Sequence, residues 1–296
     1  MKIFSKRETL VQNIAFLAIM AGVNIVLLLL ANILPYLLIL LTLILPFVSL
    51  LVTLLCKKRY YPIYIVVTVG LSFLVSFDAI TNIFFYILPG LLSGFVFGFC
   101  LEKEIPSSYS ILYSAFVYVI FSYVTLLICE FIFNEPLEEL YFIVLNLDSF
   151  AYRGYLIAPF IFAIGIIQSS LSYIIIQKEV KKLGFEEKEV DDSFEVIYLL
   201  VFILLTLLSL WIKEEIYMMF MGFAVYEFIH VEKTILKNSK KLFAISTITE
   251  LIVTIFSFAI LYNLLPKPQV LVILLIPIFI TGIIGLVNNY FIKRNK

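Results

Sequence analysis

The feature that most constrains this chain is a succession of apolar runs, each near the roughly 20 residues that an α-helix needs to cross the hydrocarbon of a bilayer. Cut at charge clusters and prolines, the runs are Val11 to Ile33, Tyr36 to Cys56, Tyr61 to Phe77, Ala79 to Leu101, Tyr109 to Phe133, Tyr155 to Gln177, Val196 to Ile212, Glu215 to Val231, Leu242 to Leu265 and Val270 to Ile292. The third and eighth are among the shortest. With 63% hydrophobic and 14% charged residues over 296 positions, the chain holds more apolar surface than one water-soluble core can hide, since soluble domains run nearer half apolar and a quarter charged. Lipid is the matching solvent. The expected fold is therefore all-α, a polytopic transmembrane bundle of about ten spans.

Positive charge supplies an independent test of that division, because cytoplasmic loops retain Lys and Arg. With the N-terminus inside, the inner segments hold 18 of the 21 Lys and Arg. These are Lys2, Lys6, Arg7, Lys57, Lys58, Arg59, Lys103, Lys178, Lys181, Lys182, Lys188, Lys233, Lys237, Lys240, Lys241, Lys293, Arg294 and Lys296. Only Arg153, Lys213 and Lys267 fall outside. Removing any one span would invert every later loop, so the asymmetry predicts both the span number and cytoplasmic N- and C-termini. The location it implies is a membrane with one cytoplasmic face. Lys2, Lys6 and Arg7 before the first run resemble a signal peptide, but no small-residue cleavage site follows, so a retained first helix is expected.

The chain is expected to divide into a six-span unit over residues 1–182, a charged cytoplasmic linker over 183–193 and a four-span unit over 194–296. The linker passes through Gly184 into Glu186, Glu187, Lys188, Glu189, Asp191 and Asp192. An outer loop, Asn134 to Gly154, carries Glu135, Glu138 and Glu139 before an apolar stretch and reads as a short helix at the membrane surface. No internal repeat of the kind common in transporters is visible.

Small residues give the clearest packing signal. Gly90, Gly94 and Gly98 recur every four residues beside Ser93, a spacing that lines one helix face and admits a neighbouring helix closely. That face serves packing within the chain, or alternatively a surface that slides on a partner. Ala15, Ala18 and Gly22 form a weaker stripe near the cytoplasmic end of the first span.

Polar residues inside a span are costly and mark protein-facing or water-facing positions. In the six-span unit they gather in the outer half: Asp78, Asn82, Tyr86, Tyr123, Thr125, Glu130 and Arg153, with Asp148 in the loop. They fit a small-molecule pocket open to the outside, or groups that snorkel and pair, Glu130 with Arg153. In the four-span unit, Glu227 and His230 share a face of span eight, and Glu250 lies about two turns into span nine. Glu-x-x-His is an element of helical di-metal sites, but such sites need two copies and further carboxylates. With one His in the chain, no metal site is expected, and these residues read as a proton-linked or structural polar set.

Other chemistry is not supported. Cys56, Cys100 and Cys129 are isolated in apolar runs and lack the spacing of zinc or redox pairs. No nucleophile elbow, zinc-protease helix, phosphate loop or dinucleotide fingerprint is present, so an enzyme and a cofactor are not expected. Zero net charge gives no basic field for nucleic acid.

Three stretches carry a family resemblance: Leu88 to Lys103 (LPGLLSGFVFGFCLEK), Ser170 to Phe185 (SLSYIIIQKEVKKLGF), and Met221 to His230 (MGFAVYEFIH) with Gly285 to Lys296 (GLVNNYFIKRNK). The chain resembles the YybS-like family of bacterial membrane proteins, itself distantly similar to the substrate-binding S components of energy-coupling-factor transporters. The resemblance implies six helices with the N-terminus inside and a ligand pocket toward the outside. It also implies a small-residue motif on the first helix that contacts a transmembrane coupling subunit, here the Ala15, Ala18 and Gly22 stripe. The additional four spans depart from ordinary S components. The expected function is small-molecule binding or transport from the outer side, the alternative a non-transporting scaffold that organises a partner in the membrane, with an enzyme acting on a lipid as a third class.

Overall fold

The computed structural model describes residues 6–34, 37–75, 83–133, 153–182, 195–212, 219–264 and 269–295. The outer loop and the charged linker lie outside these residues. Ten α-helices and no strands are present among the described residues: α1 (Leu10–Ile33), α2 (Leu37–Leu55), α3 (Tyr61–Val75), α4 (Leu88–Glu102), α5 (Ser107–Phe133), α6 (Arg153–Lys182), α7 (Glu195–Ile212), α8 (Met219–Asn238), α9 (Lys240–Leu264) and α10 (Ile276–Asn295). A π turn, Ile83–Ile87, leads into α4, and a 3-10 segment, Gln269–Leu275, leads into α10.

Among the described residues, seven helical segments are long and apolar enough to cross a membrane. The segments of α2, α3 and α8 are the remainder. The apolar stretch of α2 is Leu41–Leu55, α3 is described only as far as Val75, and α8 carries Glu227, Glu232, Lys233 and Lys237. Helix α8 also runs past Val231, where the apolar run ends in the sequence, because Glu232 turns into the bundle and does not mark its boundary.

Two compact units form, residues 1–141 with 164–190 and residues 142–163 with 191–296. Residues 142–163 thus group with the second unit, ahead of the expected boundary at 182. Phe162 explains part of this, since its ring lies 4.0 Å from that of Phe223, and a Cβ on Gly222 would come within 2.2 Å of it.

In the first unit, Leu17, Ala21 and Leu28 of α1, Leu41 and Leu45 of α2, Tyr61 and Tyr64 of α3 and Leu91 of α4 share a buried cluster. Helix α1 begins with a capping box, Thr9 and Gln12 each bonding the other's backbone amide and so satisfying two donors at the helix start. Glu102 at the end of α4 pairs with Lys58 at 2.6 Å and Lys6 at 3.4 Å. The start of α1, the α2–α3 turn and the end of α4 therefore share one side of the unit. The first four helices alternate in direction, as successive spans must. These exposed pairs contribute little stability themselves; they report position.

Pro46 lies within α2 and has no amide hydrogen to offer the carbonyl of Thr42. That carbonyl instead accepts from Tyr118 Oη of α5 at 3.2 Å and Ser172 Oγ of α6 at 3.3 Å. Beside it, the glycine face of α4 lies on α2. A Cβ at Gly94 would stand 2.4 Å from the Pro46 carbonyl oxygen and 2.9 Å from the Leu50 amide nitrogen. At Gly98 it would meet Thr53 at 2.6 Å, and at Gly90 the terminal methyl of Leu45 at 2.5 Å. Backbone-to-backbone approach is the arrangement that stabilises helix pairs in lipid, where apolar burial supplies little drive.

In the second unit, Val196, Leu199 and Ile203 of α7, Ala224, Val231 and Ile235 of α8, Leu275 of the 3-10 segment and Ile278 of α10 form the buried cluster. Around both units many large apolar side chains are exposed, among them Leu74, Phe131, Leu251 and Phe256, a surface suited to lipid and not to water. From the α2–α4 contact we expect Gly94→Ala to lower the thermal midpoint in detergent by the equivalent of roughly 1–3 kcal/mol, because the backbone of α2 must move. Gly90→Ala is expected to cost less, since a side-chain methyl can yield. Gly22→Ala, with nothing within 4 Å of its Cβ, should leave the midpoint unchanged; a loss there equal to that at Gly94 would contradict the packing.

Candidate functional site

Two groups of buried hydrogen-bonding residues stand out, one in each unit. In the first, Asn24 Nδ2 of α1 donates to Tyr64 Oη of α3 at 2.5 Å, and that hydroxyl lies 3.4 Å from Ser49 Oγ of α2. Thr68, one turn further along α3, and Asn24 are both 0% exposed, and Thr68 Oγ1 and Asn24 Oδ1 have no hydrogen-bond partner among the described residues. A second chain of hydroxyls links α4, α5 and α6: Ser93 Oγ contacts Ser114 Oγ, which accepts from Ser169 Oγ at 3.0 Å. Tyr61 Oη also donates to the Leu91 carbonyl at 2.5 Å.

The outer cluster expected from sequence is only partly in view. Asp78 and Asn82 lie outside the described residues. Tyr86, on the π turn, and Tyr123 on α5 are half-buried, while Glu130 is exposed. Arg153 opens α6, its side chain lying outside the description. The stripe of Ala15, Ala18 and Gly22 faces outward from α1.

The second group centres on Glu250 of α9. It is 8% exposed, and its partners are hydroxyls: Ser246 Oγ lies 2.6 Å and Thr281 Oγ1 2.5 Å from Glu250 Oε1. The same two hydroxyls lie 3.2 and 2.9 Å from Glu232 Oε1 of α8. Two carboxyl oxygens from neighbouring helices are thus bridged twice, once from α9 and once from α10. Two hydroxyl hydrogens serve four contacts, so at any moment half of these are donated bonds. Neither carboxyl is in an ion pair among the described residues.

Glu227 and His230, which share a face in sequence, have other neighbours. Glu227 is 2% exposed. The His230 ring packs edge-on against Tyr226 at 4.6 Å, and Thr234 Oγ1 donates to Glu195 Oε2 of α7 at 3.0 Å. The partners of Glu250 are therefore Ser246 and Thr281, with Glu232 across the shared hydroxyls. Sequence reasoning passed over Glu232 because Lys233 follows it and the pair reads as the end of a span. A signal was present: Ser246, Glu250 and Thr254 recur every four residues on one face of an otherwise apolar helix, and such a row needs polar partners on its neighbours. Among the described residues, no cluster of three or more metal-ligating side chains occurs.

Comparison of the chain with protein-family models, with curated proteins and with solved structures finds no match. What can be said of its chemistry therefore rests on these two polar groups. The bridging geometry predicts that Thr281→Val, which keeps shape but removes a donor shared by both carboxyls, destabilises the protein by about 1–3 kcal/mol. Thr247→Val, on the exposed face of α9, is the control and should be neutral. Equal thermal midpoints for the two variants would show that the bridge contributes nothing.

Proposed function

We propose that this is a ten-span protein of the bacterial cytoplasmic membrane, both termini cytoplasmic, whose first unit binds or transports a small molecule captured from the outer side, in the manner of an S component. The supporting observation is spare hydrogen-bonding capacity in an apolar interior, at Asn24 Oδ1 and Thr68 Oγ1 beside the Tyr64 and Ser49 hydroxyls. Buried polar groups are normally satisfied, and an unsatisfied one costs about 1–3 kcal/mol. A polar ligand recovers that cost. The residues are uncharged, which favours a neutral ligand bearing both donor and acceptor groups. Tyr86, Tyr123 and Glu130, with Asp78, Asn82 and Arg153, are the proposed outer approach. The resemblance to S components and the 18 inner cations support the same orientation.

Mass spectrometry of small molecules retained by the purified protein tests this reading. Asn24→Leu and Thr68→Val should each lower retention about tenfold, equivalent to about 1.4 kcal/mol, whereas Thr247→Val should not. A protein that retains nothing would favour the second reading, a scaffold or coupling partner docked on α1. The outward stripe of Ala15, Ala18 and Gly22 supports that alternative, and bulky substitutions there would then abolish co-purification of the partner. For topology, single cysteines at Lys58, Lys181 and Lys240 should react only from the cytoplasmic side and one at Glu138 only from outside. External labelling at Lys181 would overturn the ten-span arrangement.

A further inference from the structure

We propose that Glu232 and Glu250 together hold one proton at neutral pH, and that this proton keeps α9 seated on α8 and α10. Helix α9 turns most of its surface outward. Among its described side chains only Ser246 and Glu250 are buried; Ile248, Leu251, Ile255, Phe256 and Ile260 all face outward. A helix in lipid gains little from apolar contact with its neighbours, so the polar contacts decide whether α9 stays in place. Those contacts converge on two carboxyl oxygens, Glu232 Oε1 and Glu250 Oε1, bridged by the hydroxyls of Ser246 and Thr281.

With both carboxyls ionised, two negative oxygens would share the same pair of donors in a low-dielectric surround, and like charges so placed disfavour joint ionisation. The surrounding charges do not relieve this. On α8, Glu227 and His230 lie along the helix and Lys233 follows Glu232, but Lys233 is exposed. Helix α7 presents Glu195, whose Oε2 already accepts from Thr234. On α9, Lys240 and Lys241 are exposed at the helix start, and the described side chains of α10 carry no charge. One proton bound to either carboxyl removes a charge and supplies a third donor hydrogen to the four-oxygen group. It enters from water and leaves to water, with no other group changed.

Polar groups with spare capacity flank the pair on both helices. Thr254 Oγ1, one turn beyond Glu250 on α9, is buried without a partner among the described residues, as is Nδ2 of Asn288, a residue 5% exposed. Asn288 is seven residues from Thr281, hence on the same face of α10 two turns away. The seam thus continues on both sides of the pair in groups able to bind water, which is what proton access requires.

The sign of the pH effect follows. In the unfolded chain both carboxyls titrate near the ordinary value of about 4.3, so at neutral pH the fold binds a proton that the unfolded chain does not. Stability from the pair is fully present below the ordinary carboxyl range and is lost as pH rises toward the pair's own titration, with the folding constant falling about tenfold per pH unit over that window. Full-length protein in detergent is compared with Glu232→Gln and Glu250→Gln by infrared spectroscopy and thermal unfolding across pH. The wild type should show a protonated-carboxyl band at pH 7 that either substitution removes, since a lone carboxyl beside a neutral amide no longer faces a like charge. Its thermal midpoint should fall with rising pH, and amide exchange in α9 should quicken in parallel; both variants should be flatter. Glu195, Glu227 and His230 are present in all three proteins, so the difference isolates the pair. A wild type without the band at pH 7 overturns the proposal. So does a midpoint that rises with sodium at fixed pH and loses that rise in both variants, because a metal cation would then neutralise the pair. Should neither variant fold, the band and the sodium titration of the wild type decide alone.

Discussion

A carbonyl that its own helix cannot satisfy organises the first unit. In water the Thr42 oxygen freed by Pro46 would find solvent; within a bilayer it must find protein, because an unsatisfied backbone group in hydrocarbon costs several kcal/mol. Tyr118 and Ser172 answer it from two different helices. To do so α5 and α6 must both come up against α2 at that level. The same stretch presents the Pro46 carbonyl to Gly94, so the fourth helix is fixed by space where the fifth and sixth are fixed by hydrogen bonds. One proline sets the position of three helices.

The two units solve helix association by different means. In the first, glycines remove side chains so that backbones touch, and tyrosines and serines close the gaps. In the second, α9 is almost wholly turned outward and is held through a bridge of oxygens. The first mode is insensitive to pH, whereas the second depends on the charge state of two carboxyls. A protein that needs one part fixed and another responsive would be built along this division.

Much of the architecture was legible in the sequence because membrane solvent simplifies the problem. Long apolar runs gave the helices, and the four-residue spacing of Gly90, Gly94 and Gly98 gave a close contact without naming its partner. What failed to show was partnership across helices. Glu232 looked like the end of a span because charge next to Lys233 ordinarily means solvent, and only the position of Ser246 and Thr281 reveals that it turns inward. Thr42 and Pro46 are four residues apart, so a freed carbonyl was readable, but which hydroxyls reach it depends on packing that no local pattern encodes. Asp78 and Asn82, named as pocket residues, fall outside the described residues.

The separation in sequence between Thr42 and its donors has a consequence for biosynthesis. Tyr118 lies 76 residues later and Ser172 130 residues later. A chain threaded into the membrane from its N-terminus therefore carries α2 with an open acceptor while three further helices are made. Gly94 precedes both hydroxyls in the chain, so the glycine contact with α2 becomes available before the carbonyl can be capped. Until the fifth helix has emerged, the first unit is a set of inserted helices with that acceptor open, and a chain stalled before Tyr118 presents the insertion machinery with a polar flaw near the start of its second helix.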